Sequence, residues 1–313
     1  MQDHVRHLIR ESLITATLFI AILAIMLSIP AFAIISLFLL PLPFIVFSYR
    51  HGWKKATLLG IIVMAIAAII SLSLILFILP QAFLPILTGI LIGQAIRGKR
   101  HPYEVWAQGA LGVALGLTVL YFTTEFVFDI SFATEYQLMI KESLHASTLI
   151  LDAMGMDWSA RDLEIIEEQM LMILDLIPAI LLIISIFVAC VVQWLGYRTL
   201  RHVTKERFYF PRVRTFNLPK FTLWLFLVTM LIAYFEVSPI INGIVLNFST
   251  LLGLLFSMQG ISFVFHYVYM TRRSKWIAIL SVVLSIIFLP IGLYLTRILG
   301  IIDVGFMMRQ RIK

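Results

Sequence analysis

The sequence predicts an all-α fold, a polytopic bundle of transmembrane helices carrying an extracytoplasmic helical hairpin. Three observations predict it. The 313-residue chain is 61% hydrophobic and 13% charged, with a mean hydropathy of +1.01, whereas about a quarter of a soluble domain is charged. The apolar residues fall in blocks of about 16–30, most of them long enough to cross roughly 30 Å of hydrocarbon as a helix. The lysines and arginines cluster in alternate gaps between those blocks.

The blocks give about nine spans, near 12–28, 31–48, 55–78, 82–97, 105–128, 174–197, 221–236, 240–269 and 276–298. An eight-span version has one re-entrant segment, with Pro30 or Pro290 marking the place. The first block is followed by "AFA" at 31–33, as a cleaved signal peptide would be, but more apolar sequence follows and it reads as a retained helix.

Most of the 24 basic residues lie between spans two and three (Arg50, Lys54, Lys55), four and five (Arg97, Lys99, Arg100), six and seven (seven residues from Arg198 to Lys220), or eight and nine (Arg272, Arg273, Lys275). Basic loops stay cytoplasmic. This places the N-terminus inside, with Arg50, Lys54 and Lys55 as cytoplasmic anchors. Nine crossings put the basic tail, Arg297 to Lys313, on the opposite side, against the same tendency.

Span two contains Pro41 and Pro43. Each removes a backbone donor, so the helix either kinks or breaks to line a cavity. Three regions follow from the patterning: a five-span bundle at 1–129, an insert at 130–173 and a four-span region at 174–313. The insert is acidic, with apolar residues at helical spacing and a stop at "GMD", 155–157. Ser159 and Asp162 form a helix start. The expectation is two amphipathic helices, at 131–153 and 160–172, that cap the bundle, lie among the headgroups or dock a partner.

Ionisable groups at membrane depth are functional candidates. Glu125 and Asp129, four residues apart, would share a face of span five; Asp175 opens span six and Glu236 closes span seven. These four either line an outward pocket or lie wet in the outer interface. Span eight carries a polar face of Asn242, Ser249, Gly253, Ser257 and Gly260 with Gln259 beside it. The ligand candidates are therefore Glu125, Asp129, Asp175, Glu236, Asn242, Ser249 and Gln259. Gly89 and Gly93, Gly109, Gly112 and Gly116, and Gly253 and Gly260 are helix-packing positions.

No cofactor, metal or catalytic site is expected. His266 is alone in an apolar run, and the other histidines singled out (His4, His7, His51, His101 and His202) lack metal-ligand spacing. Cys190 is the one cysteine, which excludes an intrachain disulfide. No phosphate loop, HExxH, CxxC or nucleophile elbow occurs, so the chain is not expected to be an enzyme. The net charge of +7 is spread over the basic loops, where topology and anionic lipid account for it without nucleic acid.

Four stretches carry a resemblance: "LPLP" with "RHG" at 40–52, "NLPKFTLWLFL" at 217–227, "LLFSMQGISFV" at 254–264 and "LGIIDVGF" at 299–306. Together they resemble the YybS-type polytopic bacterial membrane proteins, an uncharacterised family, and the resemblance implies a bacterial inner membrane. The N-terminal part is distantly similar to the S components of energy-coupling-factor transporters. That likeness implies binding of a small molecule or ion from outside, with a coupling subunit and ATPase borrowed from partners. In S components small residues of the first helix contact the coupling subunit; here Ala16, Ala21 and Ala24 are not spaced as a small-xxx-small series. Two functions are expected of such a chain. One is a solute-binding transport component without its own ATPase. The other is a membrane scaffold or regulator that binds a signalling protein through its basic loops.

Overall fold

The computed structural model describes residues 2–70, 75–155, 159–235 and 238–312. Among them all regular structure is helical: α1 (Gln2–Ser28), α2 (Ala33–Leu39), α3 (Pro41–His51), α4 (Trp53–Ile70), α5 (Ile75–Arg97), α6 (Pro102–Val127) and α7 (Phe132–Ala153), then α8 (Ala160–Asp175), α9 (Ile177–Thr204), α10 (Lys220–Tyr234), α11 (Pro239–Met270), α12 (Lys275–Ile287), α13 (Leu289–Phe306) and α14 (Met308–Arg311). Seven segments among the described residues are long and apolar enough to cross a membrane: α1, α2 with α3, α4, α5, α6, α9 and α11. The apolar helices α10 and α12 are shorter.

The chain forms two compact units. The first holds Met1–Leu174 and Ile180–Phe210, so the insert and most of α9 belong with the N-terminal helices. The core explains why: Val188, Ala189 and Val192 of α9 pack with Ile92 of α5 and Val105 and Val113 of α6. The second unit holds Asp175–Ala179 and Pro211–Lys313.

In the first unit, span two becomes a short 3-10 turn (Pro30–Phe32), α2 and α3. At the junction Leu40 keeps helical dihedrals and its N–H still donates to the Ser36 carbonyl (2.8 Å). The prolines thus leave the span a kinked helix, with Pro41 tolerated at the first position of α3.

Spans three and four divide differently from expectation. α5 starts at Ile75, runs through Pro80 and Pro85, and is the most enclosed of the long helices. Neighbouring helices support a proline-bearing helix at such a position. The close approaches are made at glycines. A Cβ on Gly89 or Gly93 would meet the α3 backbone at Pro41 or Ile45, and one on Gly109, Gly112 or Gly116 would meet α5 at Ile92, Thr88 or Leu84.

The insert folds as α7 and α8. Ser131 caps α7, accepting from the Thr134 N–H (3.4 Å), and Ser159 caps the next helix, accepting from the Asp162 N–H (3.2 Å) and donating to its carboxylate (2.6 Å). Gly155, at φ +71°, follows the end of α7 in a conformation that favours glycine. Asp157 lies outside the described residues. The Tyr136 hydroxyl donates to the Met170 carbonyl (3.2 Å) and ties the two helices into a hairpin.

In the second unit span nine is not one helix. α12 ends at Ile287, Phe288 leaves helical geometry (φ −102°, ψ 56°), and α13 begins at Leu289 and continues to Phe306. Gly292 lies against the backbone of Ser285, so the two helices fold back on each other. The contacts Gly253–Arg297, Phe256–Gly300 and Gln259–Asp303 advance together along both chains, so α13 runs parallel to α11. The span expected at 276–298 is therefore two helices that reverse on each other beside Pro290. The extra reversal returns the tail to the Arg214 end of the unit, where Arg309 Nη1 donates to the Arg214 carbonyl (3.2 Å).

Candidate functional site

Two polar clusters and one cavity stand out from the apolar background. The first cluster is built on Glu11, one of the few acids in a candidate span, in the second turn of the segment beginning at Val5. Arg50 and His51, from the last turn of α3, converge on it: Arg50 Nη1 bonds Glu11 Oε1, and His51 Nε2 lies 2.5 Å from Oε2. His7 Nδ1, one turn earlier, is 3.5 Å from Oε1. Arg97 of α5 donates to the Tyr49 (3.2 Å) and Arg50 (2.7 Å) carbonyls and closes the end of α3. Gly52, at φ +85°, reverses the chain there, and its carbonyl accepts from the Ala56 N–H (3.2 Å). Lys54 and Lys55 begin the next helix, exposed, with the Lys54 ammonium over the Trp53 ring.

Beside this cluster lies a cavity of about 560 Å³. Its wall is apolar, formed by Leu18 and Ile22 of α1, Leu39 of α2, and Leu42, Val46 and Phe47 of α3, with Val203 of α9 at its edge. Pro43 also lines it, so the kinked span both stays helical and borders a cavity. One end is charged, with His7, Arg10, Glu11 and Arg50. An apolar recess with a few convergent polar groups is a usual form of a small-molecule site.

The second cluster is in the second unit. Gln259 of α11 is fully buried. Its Oε1 accepts from the Leu218 N–H (3.0 Å), and its Nε2 donates to Asn217 Oδ1 (3.2 Å) and to Asp303 Oδ2 (2.5 Å). Arg309 Nε donates to the same Asp303 oxygen (2.8 Å), and its Nη2 to Ser262 Oγ (3.0 Å). The Ser262 hydroxyl lies 2.6 Å from the Val213 carbonyl and 2.9 Å from that of Phe216. Arg214 stacks on the Tyr269 ring at 3.5 Å. Asn217, Gln259 and Asp303 come from three of the stretches singled out in the sequence, which meet here. The network is internally satisfied, which suits a rigid clamp between α11, α13 and the segment that leads into α10.

The acidic candidates do not behave as a set. Asp129 lies past the end of α6 at φ +55°, so it shares no helical face with Glu125. The Glu125 carboxylate accepts from the Phe132 N–H (3.3 Å) and helps cap α7. Asp175 belongs to the second unit, where its carbonyl accepts from Asn247 Nδ2 (2.7 Å). Asn247 Oδ1 in turn accepts from the Ala179 N–H (2.8 Å), so Asn247 fills the break between α8 and α9. Glu236 lies outside the described residues.

On α11, Ser249 donates to the Leu246 carbonyl (2.9 Å), and Asn242 Oδ1 is buried without a partner. Gly253 receives the Arg297 guanidinium, and Gly260 receives the α13 backbone at Thr296 and Gly300.

Sequence reasoning missed Glu11, Asp303, Arg309 and Arg297 as site residues. Three of them lie just outside the expected spans, Glu11 before 12–28 and Asp303 and Arg309 after 276–298. The available signal was an ionisable residue with apolar residues on both sides, as in "RILGIID" at 297–303.

Fold and clusters together define a polytopic α-helical membrane protein. The chain belongs to the family described as "Predicted membrane protein (DUF2232)", whose model matches residues 15–304. It is similar to the "Uncharacterized protein YybS" of Bacillus subtilis (strain 168), 26% identical over 307 residues that cover 97% of each chain. The YybS-type resemblance carried by the four stretches is therefore correct. No solved structure matches the chain.

Proposed function

We propose that this protein is a solute-binding transport component of a bacterial cytoplasmic membrane, without an ATPase of its own. The observation that carries this reading is the 560 Å³ cavity between α1, α3 and α9, with an apolar wall and a charged end. It suits an amphiphilic small molecule: the body lies along Leu18, Leu42 and Phe47, and an ionisable or hydrogen-bonding group meets Arg10, Glu11 and Arg50. This moves the binding site away from the acids first considered. On the reading that basic loops stay cytoplasmic, the charged end faces the cytoplasm with the N-terminus. An S-component-like role adds a coupling subunit and an ATPase as partners. The role is binding, not catalysis.

A second reading, a scaffold or regulator, is favoured by a separate hollow of about 400 Å³ lined by Trp194, Tyr197, Arg198, Arg201, Phe208 and Phe210. Cations beside aromatic faces there suit an anionic partner segment. Affinity purification from the native membrane separates the two. Co-purifying ATPase subunits support transport, and a signalling enzyme in their place supports the scaffold. Binding of a fluorescent amphiphile to the purified protein, lost in Leu18→Trp, supports the cavity; binding that survives in Leu18→Trp sinks it.

A further inference from the structure

Arg297 lies in the middle of α13, eight residues after Leu289 and nine before Phe306, so about 12–13 Å from either end at 1.5 Å per residue. Among the described residues it makes no hydrogen bond and no ion pair, and its Nε is buried without a partner. The nearby acid of the same helix, Asp303, is engaged by Gln259 and Arg309. A lone guanidinium at this depth is costly, and such residues pair, line water or serve function.

Two further facts say what would pair with it. The guanidinium is held, because it lies flat across Gly253, where a Cβ would touch its Cζ, Nη2 and Nε. It is therefore not free to reach along the helix, and a long side chain spans only about 6–7 Å against the 12–13 Å to either end of α13. The side chain also sits at the edge of a bare apolar face. Tyr294 and Ile298, on the same side of α13, are 61% and 37% exposed, and Leu246 on the matching side of α11 is 41% exposed.

We propose that Arg297 is the docking point for a partner transmembrane helix that carries an aspartate or glutamate at mid-depth. The apolar face of α13 supplies the van der Waals surface, and the held guanidinium supplies the recognition. A carboxylate from the partner would form a charge-assisted, bidentate pair, for which arginine's planar fork is suited. A second copy of this chain does not fit the role, because its acids in the candidate spans and in α13 among the described residues, Glu11, Glu104, Glu125 and Asp303, are already engaged by arginines or, for Glu125, by the Phe132 N–H.

The test uses the full chain in phosphatidylcholine bilayers and a synthetic polyleucine helix of about 20 residues as probe, with energy transfer between labels reading association. A helix with one central aspartate should associate about tenfold more tightly than one with a central leucine or with the aspartate at its end. Arg297→Leu should abolish the difference, and Arg297→Glu should shift the preference to a helix with a central lysine. Gly253→Leu, which evicts the guanidinium from its seat, should weaken the aspartate preference. Equal association of all probes, or an aspartate preference that persists in Arg297→Leu, would overturn the proposal. So would displacement of the aspartate helix by phosphatidylglycerol or by millimolar acetate, which would assign Arg297 to a lipid or a small anion. If Arg297→Leu fails to fold, the charge swap and Gly253→Leu still decide.

Discussion

Gln259 and Asp303 are joined by a 2.5 Å hydrogen bond between two buried side chains, 44 residues apart in sequence. The bond fixes the register of α11 against α13, and through Arg309 it ties the end of the chain to the Arg214 carbonyl. Asp303→Ala would leave a guanidinium 13% exposed and unpaired. Removing one partner of a buried pair costs about 3–5 kcal/mol. Asp303→Ala is therefore expected to lower thermal stability strongly in detergent, and Asp303→Leu with Arg309→Met much less, because no charge is then stranded. Equal losses in the single and double variants would remove the pair from the account.

The clearance between α11 and α13 gives a second prediction. A Cβ on Gly260 would collide with the Thr296 carbonyl, whereas one on Gly243 of the same helix meets nothing within 4 Å. Gly260→Ala should destabilise by about 1–3 kcal/mol, as overpacking does. Gly243→Ala should be neutral or gain up to about 1 kcal/mol from helix propensity. Thermal shifts of the two variants check this, and a harmless Gly260→Ala contradicts the close approach.

The fold-back at Phe288 predicts the side of the tail. A single cysteine at Gln310 should be labelled by an impermeant reagent from the same side as one at Arg214, and one at Ser131 from the opposite side to one at Thr204. A tail that labels opposite to Arg214 would restore the unbroken span nine.

The membrane class, the hairpin insert and the packing glycines were legible because each depends on local properties: apolar length, helix caps and residue size. The division of spans three and four was not, because Pro80 reads locally as a stop while the neighbouring α4 and α6 keep it within α5. Span nine breaks at Phe288, two residues before Pro290, one of the two places the sequence marks for a re-entrant segment. The site was illegible for a related reason. Glu11 lies 39 and 40 residues before Arg50 and His51, and each alone looks like a charge at a helix end. Only tertiary packing makes them one group, just as it makes Asn217, Gln259 and Asp303 one.

Glu11 is the hinge of the first cluster, with its side chain 14% exposed and that of His51 10% exposed. Glu11→Ala would strand Arg50 and His51 against each other and should destabilise by about 1–3 kcal/mol, the cost of leaving partly buried polar groups unsatisfied. His7→Ala should cost little, since that side chain is 66% exposed and surface pairs contribute about 0–1 kcal/mol. Unfolding of the two variants in denaturant distinguishes them, and similar losses would mean that the cluster does not depend on the buried carboxylate.

The central claim is that the cavity between α1, α3 and α9 holds a small molecule. Native mass spectrometry of protein released from its own membrane tests it most directly. The account predicts one added mass per chain, too small for a two-chain phospholipid, retained in His7→Ala and absent in Leu18→Trp. A bare chain, or a full phospholipid bound equally by wild type and Leu18→Trp, would contradict it.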